Sequence, residues 1–116
     1  MLIGSELPGH GVQIFDMKKL LTIDPAHPVT FDGVTDLTGH FSEGLPQGSL
    51  HNVVVNEELG YGVAVGARPR TFGCLAGLQF FDLKDPSNPI ALGCNPDDQY
   101  VHDVSITVKK TDENQN

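Results

Sequence analysis

The feature that most limits what this chain can fold into is a strand signal followed at once by a turn signal, present twice. The clearer copy is Gly77-Leu78-Gln79-Phe80-Phe81-Asp82, then Leu83-Lys84 and Asp85-Pro86-Ser87-Asn88-Pro89-Ile90. In an extended chain Leu78 and Phe80 share one face, and Gln79 and Phe81 share the other. The two prolines remove two backbone donors and fix two φ angles, so no ladder can run through them and the strand must turn. The earlier copy is Gly11-Val12-Gln13-Ile14-Phe15-Asp16, followed after an insertion by Asp24-Pro25-Ala26-His27-Pro28-Val29. The common frame is Gly-apolar-Gln-apolar-Phe-Asp, then Asp-Pro-x-x-Pro-apolar. Gly11, Gln13 and Asp16 thereby correspond to Gly77, Gln79 and Asp82, and Asp85, Pro86 and Pro89 mark the turn. A strand-turn unit repeated at a spacing of tens of residues belongs to stacked or radial β architectures.

The rest of the chain predicts an all-β fold of antiparallel four-stranded meanders. Its 13 Gly and 8 Pro are scattered as single turn markers, which suits short strands better than helices. The best helical candidate, Asp16 to Ile23, has two turns before Asp24-Pro25 stops it. Residues 1–9 read as a lead-in with a turn at Leu7-Pro8-Gly9. A half unit spans about residues 9–37: a strand at Gly11–Asp16, then a second extended stretch, Val29–Leu37, to close a hairpin. Residues 38–50 read as a loop.

A complete unit spans residues 51–93. His51–Asn56 is β-branched and mostly apolar, as in a strand buried on both faces. Glu57–Gly60 turns it, and Tyr61–Gly66 returns with Tyr61, Val63 and Val65 on one side and the small Gly62, Ala64 and Gly66 on the other, where a neighbour can pack closely. The Gly77 strand and Ile90–Gly93 complete a meander of the length of a propeller blade, roughly 40 to 50 residues. Val101-His102-Asp103-Val104 then repeats the His51-Asn52-Val53 start, so residues 101–108 predict the first strand of a further unit. Lys109–Asn116 is charged and amide-rich and predicts a disordered tail. Half a unit, a whole unit and one strand do not close a ring, so the expectation is an incomplete propeller, a piece or a shortened relative of a larger one.

These residues carry a resemblance. The Gly-apolar-Gln-apolar-Phe-Asp strand with its Asp-Pro-Ser-Asn-Pro turn, and the His-Asn-Val and His-Asp-Val strand starts, resemble the LVIVD-repeat proteins of the choice-of-anchor B type over about residues 9–105. The resemblance implies a β-propeller within a longer secreted or surface-attached protein, hence an extracellular or cell-surface location, and supplies no catalytic set. The chain is much shorter than such proteins.

Charge excludes one partner class. With 7 Lys and Arg against 15 Asp and Glu, and a formal net charge of -8, the chain lacks the clustered cations that nucleic-acid backbones require. A basic or divalent partner is the more natural complement. No apolar run approaches the roughly 20 residues of a helical membrane span, and the first residues lack the basic segment of a secretory signal.

Candidate chemistry is sparse. His51 and His102 hold equivalent positions at the start of what is the innermost strand of successive units, where side chains of different blades converge. Each precedes an oxygen donor, Asn52 or Asp103, so His51, His102 and Asp103 are candidate ligands for a divalent metal ion; imidazoles on one zinc bind at about 2.0 to 2.1 Å. The plainer alternative is that the rings hydrogen-bond the blade edge. His10 is a weaker candidate, His27 reads as a turn residue equivalent to Asn88, and His40 has no partner at a diagnostic spacing. Asp97 and Asp98 with Asp103 offer hard oxygens for calcium, though not at the spacing of an EF-hand loop. Arg68 and Arg70, either side of Pro69, are placed to grip a carboxylate or only to solubilise a loop. No His-Glu-x-x-His, phosphate-cradling glycine loop or Gly-x-Ser-x-Gly elbow exists.

Cys74 and Cys94 flank the Gly77–Gly93 hairpin. If its strands pair about the Pro86-Ser87 turn the two meet at the open end, and a bridge there implies an oxidising compartment; the alternative is two buried thiols. The function these readings favour is a noncatalytic binding or scaffold segment of a surface propeller, with a metal-dependent enzyme as the alternative. Its expected partners are further blades, or copies of itself meeting through apolar rows covered on one side at best.

Overall fold

Local hydrogen bonds set the turns, and the turns set the sheets. Asp16 accepts from the Lys18 N–H at 2.9 Å, and its counterpart Asp82 accepts from the Lys84 N–H at 2.7 Å. Asp24 and Asp85 likewise take the N–H two residues on, at Ala26 and Ser87. In both copies the backbone closes behind the aspartate, His27 to Asp24 and Asn88 to Asp85. Such Asx turns are the work of a short side-chain acceptor next to proline, and the sequence repeat is therefore also a repeat of hydrogen bonds.

The computed structural model describes residues 1–109. Within them lie seven strands and one short 3₁₀ helix. Strands β1 (Leu2–Ile3), β2 (Val12–Ile14) and β3 (Gly39–Phe41) form an antiparallel sheet in the order β1-β2-β3. Strands β4 (Asn52–Asn56), β5 (Tyr61–Val65), β6 (Leu78–Asp82) and β7 (Ile90–Asn95) form a second, a meander in chain order. The fold is all-β, and both sheets are open, which is consistent with an incomplete propeller. The 3₁₀ helix, Met17–Thr22, is capped by Asp16 and buries none of its residues. No helix of the described residues is long and apolar enough to cross a membrane.

The core lies between the sheets. Val12, Ile14 and Phe41 from the first pack with Ala64, Phe81 and Leu83 from the second, and Leu45 and Leu50 fill the join. Phe41 and Phe81 stack with ring centroids 4.3 Å apart. On β6 the buried residues are Gln79 and Phe81, while Leu78, Phe80 and Asp82 are half-buried. Opposite Phe81 on β5 stands Gly62, where a Cβ would lie 2.4 Å from the Phe81 ring. The smallness of Gly62 is thus what lets the ring lie flat on the sheet.

Several elements differ from expectation. The partner of β2 is not Val29–Leu37 but β3, inside the stretch 38–50 that reads as a loop. The Asp32 carboxylate takes the N–H groups of Val34 and Thr35, and the Asp36 carboxylate takes that of Asp32. Donors spent locally are not available to a ladder. The lead-in contributes β1, paired Leu2 to Ile14. The strand buried on both faces is β5; β4 lies at the sheet edge, with Val55 39% exposed.

Residues 101–108 form no strand among the described residues. Their anchor is the Val101 N–H on the Ala76 carbonyl, and Val104, Ile106 and Val108 are half-buried between exposed neighbours. The expected disordered tail, apart from Lys109, lies outside the described residues. The half unit does fold back over the complete one, so one face of the meander is covered within the chain. The other face carries Leu78 and Phe80, half-buried, beside Val63 and Val65, which are fully buried, so it is partly covered as well, and Ile90 and Leu92 are exposed on the free edge strand β7.

Candidate functional site

The chemistry-bearing side chains gather where β4 begins and β5 ends. Three segments are tied there by backbone bonds. Leu50 N–H reaches the Ser5 carbonyl at 2.9 Å, His51 N–H the Val65 carbonyl at 2.9 Å, and Gly66 N–H the Ala76 carbonyl at 3.1 Å. Ala76 also accepts from Val101, because Leu75 and Ala76 both take left-handed φ, 52° and 63°, and so turn that carbonyl towards both donors. Two successive non-glycine residues in this region are uncommon and mark a loop shaped by its contacts. Gly66, with φ 69°, has no room for a side chain: a Cβ would stand 2.6 Å from that of His51 and 3.1 Å from the Tyr100 ring.

The ties bring Glu6, His51, Asn52, Tyr100, His102 and Asp103 together. His51 Nδ1 donates to Glu6 Oε1 at 2.9 Å. The His51 and His102 rings lie with centroids 4.1 Å apart, tilted by 44°, and Asn52 Nδ2 donates to Asp103 Oδ1 at 2.9 Å. Residues equivalent in the repeat thus pair with each other. Arg70 holds its guanidinium 3.8 Å above the Tyr100 ring.

Two imidazoles on one tetrahedral zinc hold their ring centres about 5 Å apart, with the metal in the plane of both. The His51 and His102 rings are closer than that and packed against each other, His51 Nδ1 is engaged by Glu6, and Asp103 Oδ1 serves Asn52 and Val104. Among the described residues no group of three or more His, Cys, Asp or Glu is placed to hold a metal ion. The acidic pair Asp97 and Asp98 joins no such group. His10 Nδ1 donates to the Gly11 carbonyl and His40 Nε2 to the His10 carbonyl, which ties the first unit together. His27 pairs with Asp24 in the exposed turn.

Cys74 and Cys94 form a disulfide with Cα atoms 6.2 Å apart. It crosses the open end of the β6–β7 hairpin, as the flanking positions imply.

Sequence reasoning missed Glu6 and Tyr100. Glu6 sits in an irregular lead-in, and no local pattern connects it to a histidine 45 residues away. Its carboxyl is held below the ordinary glutamate value of 4.5, chiefly by the His51 hydrogen bond, with the charges of His51, Arg68 and Arg70 adding to it. A lowered folded-state value means that the contact favours the fold above the ordinary pKa and loses that effect as pH falls through the lowered one. The Glu6 carboxyl carbon, followed by NMR, is therefore expected to titrate below 4.5, and His51→Phe should move its midpoint upward. An unmoved midpoint would mean the contact does not form in solution.

Compared with protein families, curated proteins and solved structures, the chain has no match in any of the three.

Proposed function

We propose that this chain is a noncatalytic binding or scaffold segment of an extracellular or surface-attached β-propeller protein of the LVIVD-repeat type. The observation that carries the reading is the sense in which the two units pack. By the repeat, Val12 and Ile14 correspond to Leu78 and Phe80, and Gln13 and Phe15 to Gln79 and Phe81. The first sheet turns its Val12 and Ile14 side to the core, and the second meets it with its Phe81 side. Unlike faces of like units are therefore joined, as in a series that continues in one direction.

The Leu78 and Phe80 side of the second unit is the face a following unit takes. On its opposite side the first unit is covered in part by its own insertion. Phe15, the counterpart of Phe81, packs edge-on against Phe31 from the insertion, with centroids 4.9 Å apart, and Gln13 donates to the Gly33 carbonyl. The disulfide supports an oxidising compartment.

In isolation the chain is expected to self-associate through the Leu78 and Phe80 face and the β7 edge. Sedimentation velocity should show concentration-dependent association that Phe80→Lys reduces and that added following units suppress. A monodisperse wild-type monomer with a sharp cooperative melt would count against the reading. The alternative, a metal-dependent enzyme, would need the His51 and His102 rings to separate from their 4.1 Å packing so that both face one ion. Stoichiometric metal in the purified protein would favour that alternative.

A further inference from the structure

Beside this cluster, a cleft of about 360 Å³ is lined by Gln47, Arg68, Pro69, Arg70 and Thr71. We infer that it binds a singly charged organic carboxylate, held by the Arg68 and Arg70 guanidiniums. This stands on observations independent of the propeller reading.

The ion pairs among the described residues are His27–Asp24 and His51–Glu6, so the two arginines, like the lysines, have no carboxylate partner in them. Glu6 is near enough for both arginine charges to act on it, but its carboxylate is engaged by His51.

Arg70 is also positioned. Its guanidinium carbon lies 3.8 Å from the Tyr100 ring centroid, a cation–π contact that restricts where the group can sit. The loop beneath is anchored on one side by the Gly9 N–H on the Gln47 carbonyl and on the other by Gly66 on Ala76. The lining adds an amide at Gln47 and a hydroxyl at Thr71 and contains no carboxylate. Two guanidiniums with an amide N–H and a hydroxyl beside them can match the planar two-oxygen face of a carboxylate. A protein of net charge -8 repels an anion in proportion to the anion's charge, which favours a monoanion over a phosphate dianion.

The test is an NMR titration of the full chain with sodium glucuronate, with sodium chloride and sodium phosphate at matched ionic strength. Saturable shifts confined to Gln47 and residues 68–71 are expected with glucuronate. Arg70→Ala should weaken them about tenfold, the worth of one charge-assisted contact, and Arg70→Lys, which keeps charge but loses the fork, several-fold. Both arginines are exposed, so the variants are expected to melt as the wild type does.

Shifts reproduced by chloride would reduce the effect to screening and overturn the inference, without need of any variant. Tighter binding of phosphate would overturn the ligand class. Unchanged glucuronate binding in an Arg68→Ala, Arg70→Ala double variant would overturn the site. None of these outcomes bears on whether the second sheet takes a following unit.

Discussion

Truncating Phe81 to alanine is expected to destabilise the fold by about 3 to 5 kcal/mol. Its ring has 0% exposure, stacks on Phe41 at 4.3 Å and lies over Gly62, so it is the contact through which the four-stranded meander holds the first sheet. The cavity left behind is bounded by backbone on one side and by a ring on the other, and neither can collapse into it. Against a net stability of roughly 5 to 15 kcal/mol for a typical domain, the loss should be evident as a large drop in the urea midpoint. Phe72→Ala, at a position 58% exposed, is the control and should cost less than about 0.5 kcal/mol. Equal effects from the two variants would show that the sheets do not pack through Phe81 in solution.

Removing the disulfide is expected to cost about 3 kcal/mol, the chain-entropy value for a loop of this size; the cysteines are 20 residues apart. The effect should concentrate on β7. That strand is an edge, its residues are exposed apart from the half-buried Ala91, and its ladder with β6 is interrupted by a shift between Phe80 and Phe81. With few buried contacts of its own, β7 relies on β6 and on the bridge to stay in register. Cys74→Ser with Cys94→Ser should therefore lower the denaturant midpoint and, before global unfolding, raise amide hydrogen exchange in β7 above that in β5. Unchanged stability, or exchange rising equally in both strands, would mean that the bridge does not secure the hairpin.

The sequence by itself determined whatever rests on neighbours in the chain. Asp16, Asp24, Asp82 and Asp85 cap their turns because the N–H each one takes is two residues away. The meander from β4 to β7 follows from strand signals separated by short turns, and the pairing of Cys74 with Cys94 follows from the hairpin between them. The same locality misled at residues 29–37, where even spacing of apolar residues suggests a strand but Asp32 and Asp36 claim the backbone donors.

Tertiary structure alone decided which faces are buried and which side chains meet. β3 is three residues long and becomes a strand only because β2 is beside it. β5 is covered on both faces because other segments lie over it, a circumstance its alternation of valines with small residues does not record. Glu6 meets His51 across 45 residues, and Asn52 meets Asp103 across 51. Such pairs depend on where loops are carried by sheets formed elsewhere, and no spacing within a loop encodes that. The physical reason is range: a turn is fixed by hydrogen bonds that form within a few residues, whereas a site is fixed by packing that exists only once the two sheets have closed on each other.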